Sequence, residues 1–190
     1  RLGPFIKIAP PTRPNDMVHQ NAMWDGLKNG YISVLASDHA PKKKEEQEPG
    51  WDNIFVGPDG KEIPRGAPNV QTLVLLGYSE GVVKRGLPIS WLAKALSENP
   101  ARIFGLYPRK GTIRPGSDAD LLIIDPDPEY TIRVSDLHGN SWYSPYEGWT
   151  VKGRPWMTLL RGRVLLNQGQ LQQNPGYGEF IPATSPITPV

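Results

Sequence analysis

Apolar residues along this chain change their spacing near residue 107. Before that point, Phe5-Ile6-Lys7-Ile8-Ala9 reads as a short strand stopped by Pro10-Pro11, because proline offers no N–H to a ladder and restricts the residue before it. Met17, Val18, Ala22, Met23, Trp24 and Leu27 then recur at helical intervals behind a candidate cap at Asn15 or Asp16, and Asn29-Gly30 supplies a left-handed exit. The near-continuous run Tyr31-Ile32-Ser33-Val34-Leu35-Ala36 reads as a fully buried strand ending at Ser37. Strand, helix, strand with short connections is the unit of a parallel sheet, whose chemistry collects at the carboxyl ends of its strands. Ser37-Asp38-His39-Ala40 follows that run directly, so an acid is expected at a strand mouth, on the same rim as the loop from Ala9 to Arg13. A carboxylate there can bind a metal or move a proton.

Residues 42–68 are polar and rich in Gly and Pro, and the run Lys42-Lys43-Lys44-Glu45-Glu46 offers nothing to bury; a long surface loop over the rim is expected. Val70, Leu73, Val74, Val82 and Val83 return to helical spacing, and a further helix opens at Ser90 with Trp91, Leu92, Ala95 and Leu96 on one side. Asn99-Pro100 is expected to restart that helix, with Asn as cap and Pro in the first turn, and Gly105 to end it. After Tyr107, short strand-type runs are separated by Gly, Pro and Asp turns, which predicts an antiparallel β half. Prolines interrupt the tail from residue 174 onward, while Phe180 and Ile181 are apolar enough to strap onto a neighbour or another subunit.

The 190 residues carry 21 Lys and Arg against 19 Asp and Glu, a formal net charge of +2 that is too near neutrality to advertise a nucleic-acid partner. No run approaches the ~20 apolar residues of a bilayer span, so no membrane partner is expected either. The lack of cysteine excludes disulfides, thiolate metal sites and a cysteine nucleophile, and fits a reducing, cytoplasmic setting. Any metal must then be held by His, Asp, Glu or a modified side chain. The start at Arg1 shows neither an initiator Met nor a signal pattern, so a piece of a longer polypeptide is expected.

Six motifs occur in order: Pro10-Pro11-Thr12-Arg13; Met23-Trp24-Asp25-Gly26-Leu27; Ser37-Asp38-His39-Ala40-Pro41; Asn99-Pro100-Ala101-Arg102-Ile103-Phe104-Gly105-Leu106; Lys110-Gly111-Thr112-Ile113 with Gly116-Ser117-Asp118-Ala119-Asp120-Leu121; and Ser144-Pro145-Tyr146-Glu147-Gly148. Together they resemble the C-terminal part of the cyclic amidohydrolases, the family of dihydropyrimidinase or hydantoinase, allantoinase and dihydroorotase. The resemblance implies an α/β chain: residues 1–106 as the end of a TIM-type metal-dependent hydrolase barrel, contributing its last two strands and helices, 107–171 as part of a small β-sandwich, and 172–190 as a Pro-rich tail in an oligomer contact. It implies hydrolysis of a ring amide of hydantoin, dihydropyrimidine or allantoin type by a hydroxide that bridges two divalent metals, expected to be zinc. In this family the metals are held by a His-x-His pair, a carboxylated lysine, two further histidines and an aspartate that matches Asp38. That residue would ligate one metal and carry the proton from the hydroxide to the leaving nitrogen.

His-x-His is absent here, and a full barrel takes ~250 residues. The expectation is therefore a C-terminal fragment, inactive alone and binding no metal or one weakly, whose partner is the missing N-terminal portion of the same enzyme. For substrate contacts, the resemblance points to Ala9, where hydantoinase-like members usually carry a serine and allantoinase-like members resemble this chain. It also points to His39, and to Arg65 and Gly66 through their main chain. Lys42 stands where dihydroorotases often have a histidine, which disfavours that substrate.

Each candidate has a plainer reading beside it. Asp38 could be a turn former, His39 a packing residue, and Arg13 a loop salt bridge. His19 and His138 read as structural, Lys42 to Lys44 as a solvated face, Asp118 and Asp120 as a turn before a strand, and Trp142, Trp149, Trp156, Tyr143 and Tyr146 as core or interface. A non-enzymatic dihydropyrimidinase-like scaffold is the alternative function, and retention of Asp38 counts against it. Two barrel strands alone would expose Val34, Leu35, Val74 and Leu92, so a complementary chain or a homo-oligomer is expected to cover them.

Overall fold

The computed structural model describes residues 2–12, 16–172 and 176–183, and within it the chain forms two compact units. Residues 1–20, 36–73 and 131–151 make one; residues 21–35, 74–130 and 152–190 make the other.

Helix α1 (Met17–Lys28) begins where the Asp16 carboxylate accepts the His19 N–H at 2.8 Å and ends where Gly30, at φ 79°, donates to the Leu27 carbonyl. Asp16 therefore caps it; Asn15 and Arg13 lie outside the described residues. The short helix α2 (Lys44–Gln47) follows, then α3 (Thr72–Leu76), which continues as a π-type segment Gly77–Val83. Next, α4 (Ile89–Ala93), a second π-type segment Lys94–Glu98, and α5 (Asn99–Ile103) form one helical stretch. In the second unit, Gly77 and Gly81 lie one turn apart. A Cβ on Gly77 would sit 2.8 Å from Leu92, and one on Gly81 would sit 2.8 Å from the Trp91 ring and 3.0 Å from that of Trp24. Bare backbone at these two positions lets the helical stretches touch.

Several expectations are corrected here. Phe5 to Ala9 is not a strand: Gly3–Ile6 make a 3-10 turn with Pro4 at its start, and this buries Phe5 against Tyr143 and Trp142 at ring distances of 5.9 and 4.4 Å. Residues 31–37 form no ladder among the described residues. A parallel strand takes its hydrogen bonds from strands on either side, whereas here Leu35 N–H donates to the Ala95 carbonyl and the Ser33 carbonyl accepts the Asn99 side-chain amide at 2.7 Å. Asn99 itself is helical, with φ −62° and ψ −47°, and is no cap. The π-type turns just upstream of Pro100 move carbonyls away from a ring that lacks an N–H, so the helix runs on. Gly105 does end it, at φ 66°. Leu92 is 3% exposed, and Val34, Leu35 and Val74 are half-buried, because the helical stretches cover them within the unit.

The second half is antiparallel, as expected. Strands β1 (Leu121–Thr131), β2 (Thr150–Leu160), β3 (Arg163–Asn167) and β4 (Gln170–Leu171) form one sheet in that order, with β2 and β4 each antiparallel to β3. The entry to β1 is pinned by charge. Lys110 pairs with both Asp118 and Asp120, Arg109 with Asp118 at 2.9 Å, and Asp120 accepts the Arg161 N–H at 2.8 Å. Burial works to lower the Lys110 pKa, yet its bonds to Asp120 and Asp118 carry it above the ordinary value, and Lys110 and then Arg109 hold Asp118 below the usual carboxylate range. In the tail, the Tyr177 carbonyl accepts Arg161 and its ring lies under Arg161 and Arg163, so this part straps onto its own hairpin. Gln173 to Pro175 and Thr184 to Val190 lie outside the described residues. Among the described residues no helix is long and apolar enough to cross a membrane.

Candidate functional site

The candidate residues gather in the first unit around one short parallel contact. His39 bridges to Ala67, and Ala40 N–H donates to the Ala67 carbonyl at 3.0 Å. Asp38 and Gly66 are the residues immediately before this bridge on its two strands. Gly66 is there because nothing larger fits. At φ 134°, a Cβ would lie 2.1 Å from the Ala40 carbonyl oxygen.

Asp38 sits at φ 47°, a left-handed conformation that aspartate tolerates better than most residues but still at a cost of about 1–2 kcal/mol. Its carboxylate is exposed and makes no hydrogen bond or ion pair among the described residues. Aspartate is among the residues that visit this conformation most readily, and among the described residues its oxygens are not spent on nearby N–H groups. His39 is held differently. Its Nδ1 accepts the N–H of Asn69 at 3.0 Å and of Val70 at 3.1 Å, which puts the ring proton on Nε2 as an outward donor.

Gly66 is bonded on both sides: its N–H donates to the Lys7 carbonyl at 2.8 Å, and its carbonyl accepts Gln47 Nε2 at 3.3 Å and the Tyr143 hydroxyl at 3.4 Å. Gln47 also reaches the Pro64 carbonyl at 3.4 Å, so one fully buried amide clamps the carbonyls flanking Arg65. The N–H and the carbonyl of Arg65 itself make no hydrogen bond among the described residues. The Tyr143 hydroxyl donates to the Phe5 carbonyl, and burial pushes its pKa up to about 12.

Ala9 and Arg65 share a groove of about 540 Å³ walled by Ile6, Ile8, Ile54 and Phe55. Lys7, Glu62 and Arg65 are its charged residues. Asp38 and His39 stand outside it, joined to Arg65 through Gly66 and Ala67. The sequence reading missed Lys7 and Gln47, and read Tyr143 as core or interface without its hydroxyl's part at this rim. Lys7 was visible as a charge inside an apolar run; Gln47 was hidden in a stretch that looked wholly solvated, yet it is 0% exposed. His19 belongs to the α1 cap, and the His138 N–H donates to the Gln71 side chain.

A divalent metal needs three or more donors, and among the described residues no three His, Asp or Glu side chains come close enough to hold one. The only candidate ligand read from this chain is the Asp38 carboxylate, and one carboxylate does not build a metal site.

A sequence profile of the amidohydrolase family matches residues 16–165. The chain belongs to that family. An L-hydantoinase of Paenarthrobacter aurescens is 37% identical over 95% of this chain and 38% of its own length. Among solved structures, a D-hydantoinase (dihydropyrimidinase) of a Thermus species superimposes with a TM-score of 0.87 at 35% identity, covering 97% of this chain and 38% of that one. The dihydropyrimidinase of Brevibacillus agri gives 0.89 at 31%, covering 98% and 39%. This amidohydrolase chain thus spans somewhat over a third of the length of the relatives it matches.

Proposed function

We propose that this chain is the C-terminal part of a cyclic amidohydrolase that opens a ring amide of hydantoin, dihydropyrimidine or allantoin type. The observation that carries the reading is Asp38: a carboxylate free of partners among the described residues, held in a strained conformation beside a two-strand bridge, in a chain that follows hydantoinases over 95% or more of its own length. Residues 1–106 would be the end of the barrel and 107–171 part of the accompanying sandwich, with the rest of the barrel contributed by sequence outside this chain.

Within that assembly each group has one task. Asp38, solvent-facing and without a partner among the described residues, accepts a proton from the attacking water and returns it to the leaving ring nitrogen; a carboxylate within hydrogen-bond reach is worth about 10²–10⁴ in rate. His39, its Nδ1 tied to two backbone N–H groups, presents Nε2–H to a ring carbonyl. The Arg65 peptide, clamped by Gln47, meets the ring amide edge, while Ala9 contributes a small apolar wall with no hydroxyl. Two divalent metals, expected to be zinc, would take Asp38 as one ligand with their other donors outside this chain, and when bound they supply an acidified water and a polarised carbonyl. The described residues of this chain alone do not build their site.

The test is hydrolysis of hydantoin, dihydrouracil and allantoin by the full gene product that carries this chain. Ring opening of at least one, followed by chromatography of the carbamoyl product, is the expected result. A well-folded, metal-loaded product that opens none of the three contradicts the reading.

A further inference from the structure

The groove beside Arg65 is more than a wall for a ring. Its charged groups do not balance: two cations, Lys7 and Arg65, face one carboxylate, Glu62. Both converge on a single oxygen. Glu62 Oε1 accepts Arg65 Nη2 at 2.8 Å and Nε at 3.2 Å, and lies 3.6 Å from Lys7 Nζ. Lys7 is the unusual member, because its side chain is only 7% exposed. Its ammonium donates to the Ile63 carbonyl at 2.6 Å and stands 5.5 Å from the centre of the Phe55 ring. A buried ammonium is costly unless it is paired, and its one ionic neighbour among the described residues is an exposed carboxylate whose Oε1 already accepts two Arg65 nitrogens. Around this surplus charge the walls are apolar: Ile6, Ile8, Ile54 and Phe55. A volume of about 540 Å³ is that of a small-molecule site. An apolar slot with one net positive charge at its side matches a ligand with an apolar stem and an anionic end.

We propose that the groove recognises ring amides whose substituent ends in a carboxylate, with Arg65 and Lys7 as the anion contact and Ile54 and Phe55 against the stem. The inference deepens the cyclic amidohydrolase reading and rests on it for the ring. The Arg65 peptide meets the ring edge while its side chain reaches along the groove, so one residue couples ring position to substituent charge. The guanidinium can add the anion without leaving Glu62, because only its Nε and Nη2 are engaged there.

The experiment compares the affinity of the full gene product that carries this chain for 5-(2-carboxyethyl)hydantoin and for its neutral counterpart 5-(2-carbamoylethyl)hydantoin, which has the same shape without the charge, read as KM where the ring opens and as a calorimetric Kd where it does not. The carboxylate should bind at least tenfold more tightly at low ionic strength, and 0.5 M salt should erode that preference. Arg65→Gln should abolish the preference, bringing the two compounds to equal affinity, and Arg65→Lys should retain part of it. Ile54→Ser should weaken both compounds equally. Equal affinity for the two compounds, or a preference that survives Arg65→Gln, overturns the proposal. The underlying reading fails separately. A gene product that opens hydantoins with no preference for the carboxylate refutes the groove assignment and keeps the family reaction, whereas a preserved carboxylate preference in a protein that opens no ring refutes the reaction and keeps the anion contact.

Discussion

Replacing Gly66 by Ala asks whether the parallel bridge beside Asp38 depends on bare backbone. The added Cβ would lie 2.1 Å from the Ala40 carbonyl oxygen and 2.8 Å from the Ala40 Cβ, contacts that only a backbone shift relieves. Overpacking of that kind costs about 1–3 kcal/mol. The residue also sits at φ 134°, where an L side chain is strained by a further ~1–3 kcal/mol. The sum is about 2–6 kcal/mol, which for a chain of this length lowers a thermal midpoint by roughly 4–24 °C. Gly60 is the internal control: its φ of 77° is also left-handed, but a Cβ there meets nothing within 4 Å, so Gly60→Ala should cost only ~1–2 kcal/mol. Thermal and urea denaturation of both variants, followed by tryptophan fluorescence, gives the comparison. In Gly66→Ala the bridge partners should also part, and the Asn69 and Val70 amides should lose their protection from exchange as the His39 contact loosens. If Gly66→Ala is no more destabilising than Gly60→Ala, the tight approach to Ala40 is not what shapes this rim.

Tyr143 should ionise late, and burial moves Tyr146 in the same direction. The raised Tyr143 pKa of about 12, against 10 for the free side chain, favours the neutral phenol in the folded state, so the associated stability is complete below pH 10 and falls away as the pH rises towards 12. Absorbance at 295 nm should show this late ionisation, and Tyr143→Phe should remove it and cost about 1–3 kcal/mol through the orphaned Phe5 carbonyl. Lys110→Met should leave Asp118 and Asp120 without their shared cation and lower stability at neutral pH by at most about 1 kcal/mol, since both carboxylates stay in contact with solvent. Because Lys110 and Arg109 hold the Asp118 pKa down, the stability it gives is present above the ordinary carboxylate value and lost as the pH falls through its depressed one. The mutant's acid limb of a stability profile should accordingly be shallower than that of the parent.

How far the residues announce this arrangement depends on the range of the forces involved. The cap of α1, its Gly30 exit, the Gly105 stop and the antiparallel β half are set by groups within a few positions of one another, and all were legible. The two segments read as strands are a different case. An apolar run such as Tyr31 to Ala36 states that it will be buried, not which neighbours will serve its backbone; here Ala95 and Asn99 do so from a helical stretch. Asn99 looked like a cap because Asn-Pro is a start signal, but the π-type turns before Pro100 remove the clash that would otherwise break the helix. Gln47 lies in a stretch of charges, and only the fold reveals that its side chain turns inward to the carbonyls around Arg65. At the site, Asp38 was found from its motif, whereas its unpaired state and positive φ belong to the three-dimensional structure.

The central claim concerns that one carboxylate, and the turnover number of Asp38→Asn in the full gene product tests it most directly. Asparagine keeps the shape and tolerates the same backbone conformation, and the parent side chain has no partner to lose among the described residues, so the stability of the metal-free protein should stay within about 0.5 kcal/mol of the parent. Ring opening should meanwhile slow by at least about 10². A folded Asp38→Asn protein that opens the ring at the parental rate would contradict the account.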